Sequence, residues 1–330
     1  MCDKCDGGIS DLVVRYRDDQ EKVFDLFIDH GLILESKTCE KCHHEAKCDF
    51  RRGLWRCRKT VSINKTKPKQ CDWSKSIYKN TFFDKASVDK LTLLVFISIY
   101  LRNYFCYQFA IDETKWSQTT INDWCSFVRE VLVVWCLDNT SASIGGPGVT
   151  VEIDESKFGK RKNYCGRVIE GQWVFGGVCR ETGQIFLVPV PDRTKETLVK
   201  IIKEKIVPGT TIISDCWKAY NSLGDEGYEH QTVNHTYNFV DPQTKAHTQN
   251  IERVWRDIKS TCPRYGRRSY NYVGYLARSI FLRSIKDGNQ RLHHFLLAAA
   301  KLYNPHQPPT VPLHHPVVKV TKKRRKASKN

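Results

Sequence analysis

No apolar run in this 330-residue chain approaches the roughly 20 residues that a membrane-spanning helix needs. The longest candidate, "LTLLVFISIYL" (91–101), is about half that length and reads as a buried helix. The opening "MCDKCDGGIS" lacks a basic segment followed by an apolar one, so no secretory leader is expected. Acidic residues are scarce: 36 Asp and Glu against 53 Lys and Arg leave a formal charge of +17. An excess of that size favours a polyanionic partner over a membrane, because Lys and Arg neutralise phosphates and release their counterions. A hydrophobic fraction of 40% and an aromatic fraction of 11% exclude a disordered chain. With no leader expected, the 14 cysteines are read as reduced, buried or metal-bound, not as a disulfide framework.

The chain divides into five segments. Residues 1–36 carry one amphipathic helix over 18–31, with Val23, Leu26, Phe27 and Leu32 on one side. Residues 37–84 are cysteine-rich and very basic. Residues 85–140 read as two helices, 87–104 and 118–137, joined by the polar turn "DETKWS". That arrangement suits either a DNA-reading helix-turn-helix or a plain helical hairpin. "SASIGGPG" (141–148) marks a boundary, and the grammar then becomes stranded over 149–305. "VTVEIDESKFG", "QWVFGGVCRE" and "QIFLVPVP" are three antiparallel strands. A helix (194–205), the strand "GTTIISD", a small helix, the strand "YEHQTVNH" and a helix through "KAHTQNIERVWRDIKS" come next. This is the element order of an α/β ribonuclease-H-like core, a mixed sheet with flanking helices. Residues 306–330 form a basic tail, expected to be disordered, whose "KKRRK" run (322–326) points to nuclear entry or non-specific DNA contact.

Asp154 and Asp215 fall at the ends of the first and fourth strands of that core. Pairing of those strands would bring both carboxylates to one edge. Thr150, Glu152 and Asp154 share a strand face opposite Val149, Val151 and Ile153. A polar stripe in a core strand calls for a partner, and divalent cations are a natural one. In-line phosphodiester chemistry uses two hard cations about 4 Å apart, held by carboxylates on rigid elements. The third carboxylate must come from a helix crossing near those strand ends. Glu252 occupies that place, beside the apolar stripe of Ile251, Val254, Trp255 and Ile258.

In the basic segment, Cys39 and Cys42 form a Cys-x2-Cys knuckle of the kind tetrahedral zinc sites use. Its partners must come from Cys48, Cys57 and Cys71, with His43 and His44 open as substitutes. Cys2 and Cys5 repeat the spacing without an evident partner pair and are read as non-ligating. Arg51, Arg52, Arg56, Arg58, Lys59, Lys65, Lys67 and Lys69 make a basic surface able to hold DNA through its phosphates.

"VEIDESKFGKRK", "ISDCWKAY", "VNHTYNFVDPQTKAHTQNIERVWRDIK" and "RYGRRSYNYVGYLARSIFLR" together resemble the Merlin-type DDE transposases, eukaryotic relatives of bacterial insertion-sequence transposases with an ISXO2-like domain. The resemblance implies that Asp154, Asp215 and Glu252 are the acidic triad for Mg²⁺ or Mn²⁺, and that Lys259 is the family's following lysine. It implies that His247 and Asn250 contact substrate or the surroundings of the metal. Family members complete the zinc knuckle with a "WRC" cysteine and another shortly before an aromatic run, which gives Zn²⁺ the set Cys39, Cys42, Cys57 and Cys71. The partners implied are double-stranded DNA, as terminal inverted repeats and as target, with a homo-oligomer on paired ends. Relatives carry Asn or His where this chain has Glu252, and often a glutamate where it has Ala277 and Arg278. The alternative expectation is a host-adopted nuclear DNA-binding protein that no longer transposes.

Overall fold

The computed structural model describes residues 4–61, 68–84, 86–159, 171–233, 247–262 and 271–307. Cys2, Lys65, Lys67 and the 322–326 run lie outside them. The first segment holds two helices, α1 (Ile9–Tyr16) and α2 (Gln20–Asp29), one more than its pattern implied. Only Leu12 and Tyr16 of α1 are buried, too few to print a helical period. Asp19 caps α2 by accepting from the N–H groups of Glu21 and Lys22. Next come the short strands β1 (Lys37–Thr38), β2 (Glu45–Asp49), β3 (Leu54–Arg56), β4 (Thr60–Val61), β5 (Lys69–Gln70) and β6 (Ser74–Ser76). They form an antiparallel sheet in the order β1-β2-β3-β6, with β4 and β5 as a separate ladder.

The helical region holds α3 (Lys90–Tyr100), α4 (Tyr107–Thr114) and α5 (Gln118–Asn139). "DETKWS" is therefore not one turn. Asp112, Glu113 and Thr114 finish α4, Lys115 turns the chain at φ 59°, and Ser117 caps α5. The sequence hid α4 because it buries little beyond Ala110 and Thr114. Helix α3 is apolar nearly all round, with Leu93, Leu94, Phe96, Ile97, Ile99 and Tyr100 buried. Such a helix needs neighbours on every side.

The rest is a mixed α/β unit: β7 (Thr150–Phe158), β8 (Gln172–Cys179), β9 (Ile185–Val190), α6 (Lys195–Lys205), β10 (Thr211–Asp215), β11 (Glu229–Val233), α7 (Gln249–Thr261), α8 (Tyr272–Ser284) and α9 (Arg291–Leu302). The sheet order is β11-β10-β7-β8-β9, with β7, β8 and β9 antiparallel and β10 parallel to both its neighbours. Val151, Ile153 and Phe175 bury one face with Leu198 and Ile202 of α6. Phe158, Val174 and Val178 bury the other with Ile251, Val254, Trp255 and Ile258 of α7 and Tyr272, Tyr275 and Leu276 of α8. Asp154 sits in mid-strand, not at the strand end expected, because pairing with β8 carries β7 on to Phe158. Pairing with β10 stops earlier, at Ile213 opposite Glu152.

Helix α8 bridges from the sheet to the core around α3 and α5, through Ala277, Phe281 and Leu282, and α9 packs in that core. Two buried arginines fix that junction. Arg278 of α8 donates to the carbonyls of Tyr100 (2.8 and 3.0 Å) and Arg102 (2.7 Å), and Arg291 of α9 donates to that of Leu101 (3.0 Å). The last carbonyls of α3, which lack helical partners and carry the negative end of its dipole, thus receive two guanidinium groups. Arg278→Met should destabilise the protein by about 3 kcal/mol, since buried acceptors lose their donors. The exposed change Arg253→Gln should cost no more than about 0.5 kcal/mol. Equal denaturant midpoints for the two variants would contradict this role.

Candidate active site

Helix α7 is the element that builds the site, and Glu152 decides where it starts. Thr248, at the N-cap position of α7, makes no side-chain capping bond. The Glu152 carboxylate, 0% exposed on β7, takes that function from across the sheet. Its Oε2 accepts from the N–H groups of Asn250 (2.9 Å) and Ile251 (3.0 Å), the donors an N-cap side chain would satisfy. Its Oε1 accepts from Asn250 Nδ2 (2.8 Å) and from Arg180 Nε (2.7 Å). Arg180 also donates to the His247 carbonyl (2.6 Å), and His247 Nδ1 stands 3.6 Å from Glu152. The structure therefore brings His247 and Asn250 together around Glu152.

With that end fixed, α7 lies across β7. Two residues beyond Glu152, Asp154 faces the same helix, and Trp255 Nε1 donates to its Oδ2 at 2.9 Å. Gly176 pairs with Asp154 on β8, and a Cβ there would come within 2.7 Å of the Trp255 ring. The missing side chain is what lets the indole reach the carboxylate. Asp215 ends β10, two residues past its last pair with β7, and is near enough for its charge to act on Asp154. The Trp217 N–H bonds to Asp215 Oδ1 (3.1 Å) and steadies it.

A third acid, Glu155, was not singled out from the sequence. It points to the opposite side of β7, where the buried Tyr220 hydroxyl donates to it. Burial, with Asp215 nearby, raises its carboxyl, and Arg193 counters in part. Burial, then the charges of Glu155 and Asp215, push Asp154 up to about 7. The signal in the sequence was the adjacent Asp-Glu pair in "EIDES". Asp154 and Asp215 act on each other through their charges and offer only oxygen donors, while Glu155 lies on the other face of β7. The two aspartates fit Mg²⁺ or Mn²⁺.

Glu252 is exposed on α7 one turn before Trp255, and Lys259 lies one turn after it, with its Nζ 5.7 Å from the centre of the Phe158 ring. Glu252, Trp255 and Lys259 thus run along one side of the helix. Among the described residues, two groups of metal-capable side chains bring their ligand atoms within 4.8 Å of one another, and both are Cys/His groups. Asp154, Asp215 and Glu252 are not gathered that closely.

One of the two groups is Cys39, Cys42, Cys57 and Cys71. His43, at φ 57°, tightens the turn after Cys42 between β1 and β2, while Cys57 follows β3 and Cys71 precedes β6. Sulfur separations are 3.7 Å for Cys39–Cys71 and 3.4 Å for Cys42–Cys57. Zn–S bonds of tetrahedral length set an edge of about 3.8 Å, so the thiols suit zinc. Burial opposes ionisation of Cys39, but N–H groups of Cys42 and Lys41 outweigh it and bring the thiol to about 7. Cys48 lies outside the cluster, on β2 opposite Trp55, and burial pushes its thiol up to about 11. His43 and His44 are not in the group either; His44 Nδ1 bonds to the Cys42 carbonyl (2.9 Å).

Residues 145–273 match the family model of the ISXO2-like transposase domain. A Haemophilus influenzae protein described as an uncharacterized transposase-like protein is 26% identical over 76 residues, which are 23% of this chain and 60% of that relative. A chain in the cryo-EM structure of the simian T-cell lymphotropic virus intasome with PP2A regulatory subunit B56 gamma is 14% identical, covering 64% of this chain and 73% of its own. Its TM-score of 0.24 is too low to carry an argument. Residues 145–273, which include Asp154, Asp215 and Glu252, are thus similar to a transposase domain, and the chain spans 60% of the length of that relative.

The raised Asp154 carboxyl has a pH signature. Its folded value near 7 exceeds the usual 3.8, so between those limits the metal-free folded state holds the extra proton. Stability should therefore fall as pH rises from about 4 to about 7 and level off above. Asp154→Asn should flatten that decline and raise stability at pH 8 by up to roughly 4 kcal/mol. Urea midpoints of both proteins in EDTA test it, and parallel profiles would refute it.

Proposed function

We propose that the chain is a Merlin-type DDE transposase with a ribonuclease-H-like core, and that Asp154, Asp215 and Glu252 are its metal-binding triad. The observation that carries this reading is that Asp215 acts by its charge on Asp154 from the adjacent parallel strand, under a helix whose Trp255 bonds to Asp154. The sheet order supports the core assignment, with three antiparallel strands followed by two parallel ones on the other side of β7. Glu252 stands one turn before Trp255 on the same helix, exposed where a cation and DNA could reach it. Mg²⁺ or Mn²⁺ held there supplies charge that activates the attacking oxygen and stabilises the leaving one. The rigid strands hold the two aspartates in register, and Trp255 orients Asp154. Lys259, one turn on, is positioned to meet a phosphate of the cleaved strand.

DNA would enter over a basic and aromatic rim. Arg193 stacks on Trp173 (4.1 Å) and Trp217 (4.8 Å), and Trp217 is 41% exposed. Arg51, Arg52, Arg58, Lys59 and Lys69 are exposed on the thiol-bearing sheet, and a groove of about 730 Å³ opens beside Lys47, Arg51 and Arg58. In this reading the sheet, with zinc on Cys39, Cys42, Cys57 and Cys71, grips the terminal inverted repeats through their phosphates. The protein works as a homo-oligomer on paired ends, and residues 322–326 direct it to the nucleus.

Supercoiled plasmid bearing the element's ends provides the test. Glu252→Gln should lower Mg²⁺-dependent cleavage roughly a thousandfold or more, as losing a charge clamp does. It should keep binding to the ends, and Arg253→Gln should cleave within a few-fold of wild type. Similar cleavage by both variants would remove Glu252 from the triad. Binding without cleavage by the wild-type chain would point to a host-adopted protein. Cys57→Ser should abolish end binding, which in the wild type should weaken steeply between about 50 and 200 mM salt.

A further inference from the structure

The second Cys/His group shares no residue with the carboxylate site or the four-thiol cluster. Cys5 and His30 are buried, His293 is half-buried, and their ligand atoms lie within 4.8 Å of one another. We propose that Cys5, His30 and His293 hold a second zinc ion, which joins the start of the chain to helix α9.

The geometry is that of a ligand set. Cys5 Sγ is 3.3 Å from His30 Nε2, which is 3.0 Å from His293 Nδ1. Zinc bonds of normal length give tetrahedral edges of about 3.6 Å for sulfur to nitrogen and about 3.4 Å for nitrogen to nitrogen. The observed separations fall a few tenths short of those edges. The tautomer agrees as well. His30 Nδ1 is 2.8 Å from the Leu26 carbonyl, which only accepts, so Nδ1 carries the proton. The lone pair on Nε2 then faces Cys5 and His293. A second nitrogen donated to a backbone carbonyl is how metal-binding histidines are oriented.

The surroundings deliver each ligand without strain. Tyr16 Oη (2.5 Å) and Arg15 (2.7 Å) hold the Lys4 carbonyl, and the Lys4 ammonium pairs with Asp29, which sets Cys5 against the end of α2. His30 closes α2, and Gly31 at φ 72° turns the chain away. His293 comes from the first turn of α9, 263 residues later. In the sequence, Cys2 stands in Cys-x2-Cys spacing with Cys5, though it lies outside the described residues. The reading of Cys5 as non-ligating found no partner pair because both histidines are distant in the chain.

Zinc per chain, measured by plasma mass spectrometry on the full-length protein after dialysis, tests the assignment. His293→Asn and Cys5→Ser should each lose one equivalent relative to wild type, and Cys57→Ser should lose a different one. The double variant Cys57→Ser/His293→Asn should lose both. Cys5→His should restore the equivalent that Cys5→Ser loses, while removing thiolate-to-metal absorption from that site in the cobalt-substituted protein. Circular dichroism guards against misfolding. Wild-type zinc content in a folded His293→Asn protein would overturn the proposal, whatever the four-thiol cluster binds. Failure of Cys57→Ser to lose zinc would overturn only the other site.

Discussion

One buried carboxylate determines how the candidate active site is assembled. Glu152 lies at the centre of a five-stranded sheet, where an isolated charge would be costly. It accepts four hydrogen bonds, three from the first turn of α7 and one from Arg180. The arrangement settles three demands at once. The charge is neutralised, the open N–H groups of α7 are satisfied, and the helix is registered against β7. Because Glu152 and Asp154 share a strand face, fixing the start of α7 on the first places Trp255 over the second. Breaking the pair by removing one partner would leave a buried charge, so this contact is hard to alter piecemeal.

The neighbouring acids follow the opposite logic. Asp154 and Glu155 receive one side-chain donor each, Trp255 and Tyr220, and their protons are held more tightly than usual. Among the described residues, no arginine is bound to Asp154 as Arg180 is to Glu152. Sites that store unfavourable charge in this way are candidates for chemistry, since a fold selected for stability alone would neutralise them. Gly176 belongs to the same economy. A side chain there would strengthen β8, but it would displace the indole from Asp154.

Much of this was legible in the sequence, for identifiable reasons. Alternation in "VTVEIDESKFG" and the apolar stripe of α7 report burial on one face, and the structure has both. Cys39 and Cys42 were legible from their Cys-x2-Cys spacing, whereas Cys57 and Cys71 were singled out from among the other candidates only by the family resemblance. Short helices with little buried area were not, so α1 was missed and α4 was taken for a turn. Nor could periodicity separate Glu152, Asp154 and Glu155. Three acids within four residues look alike until the partners arrive from Arg180, Asn250, Trp255 and Tyr220, each distant in the chain. The group of Cys5, His30 and His293 was hidden for the same reason.

The contrast between glutamates also bears on which carboxylate completes the proposed triad. A metal ligand must keep lone pairs for the cation and reach solvent, where a DNA strand can approach. Glu152 fails both conditions, since its oxygens are already shared among four donors and it has no exposed surface. Glu155 meets the first in part but faces Tyr220, on the side of the sheet away from α7. Glu252 stands on the exposed side of the helix that Glu152 anchors, one turn from the residue that touches Asp154. In the proposed triad, cations and a DNA phosphate would have to draw Glu252 towards the aspartates, because three like charges brought together without them repel. In the proposed triad the buried glutamate supplies the geometry and the exposed one would supply the chemistry.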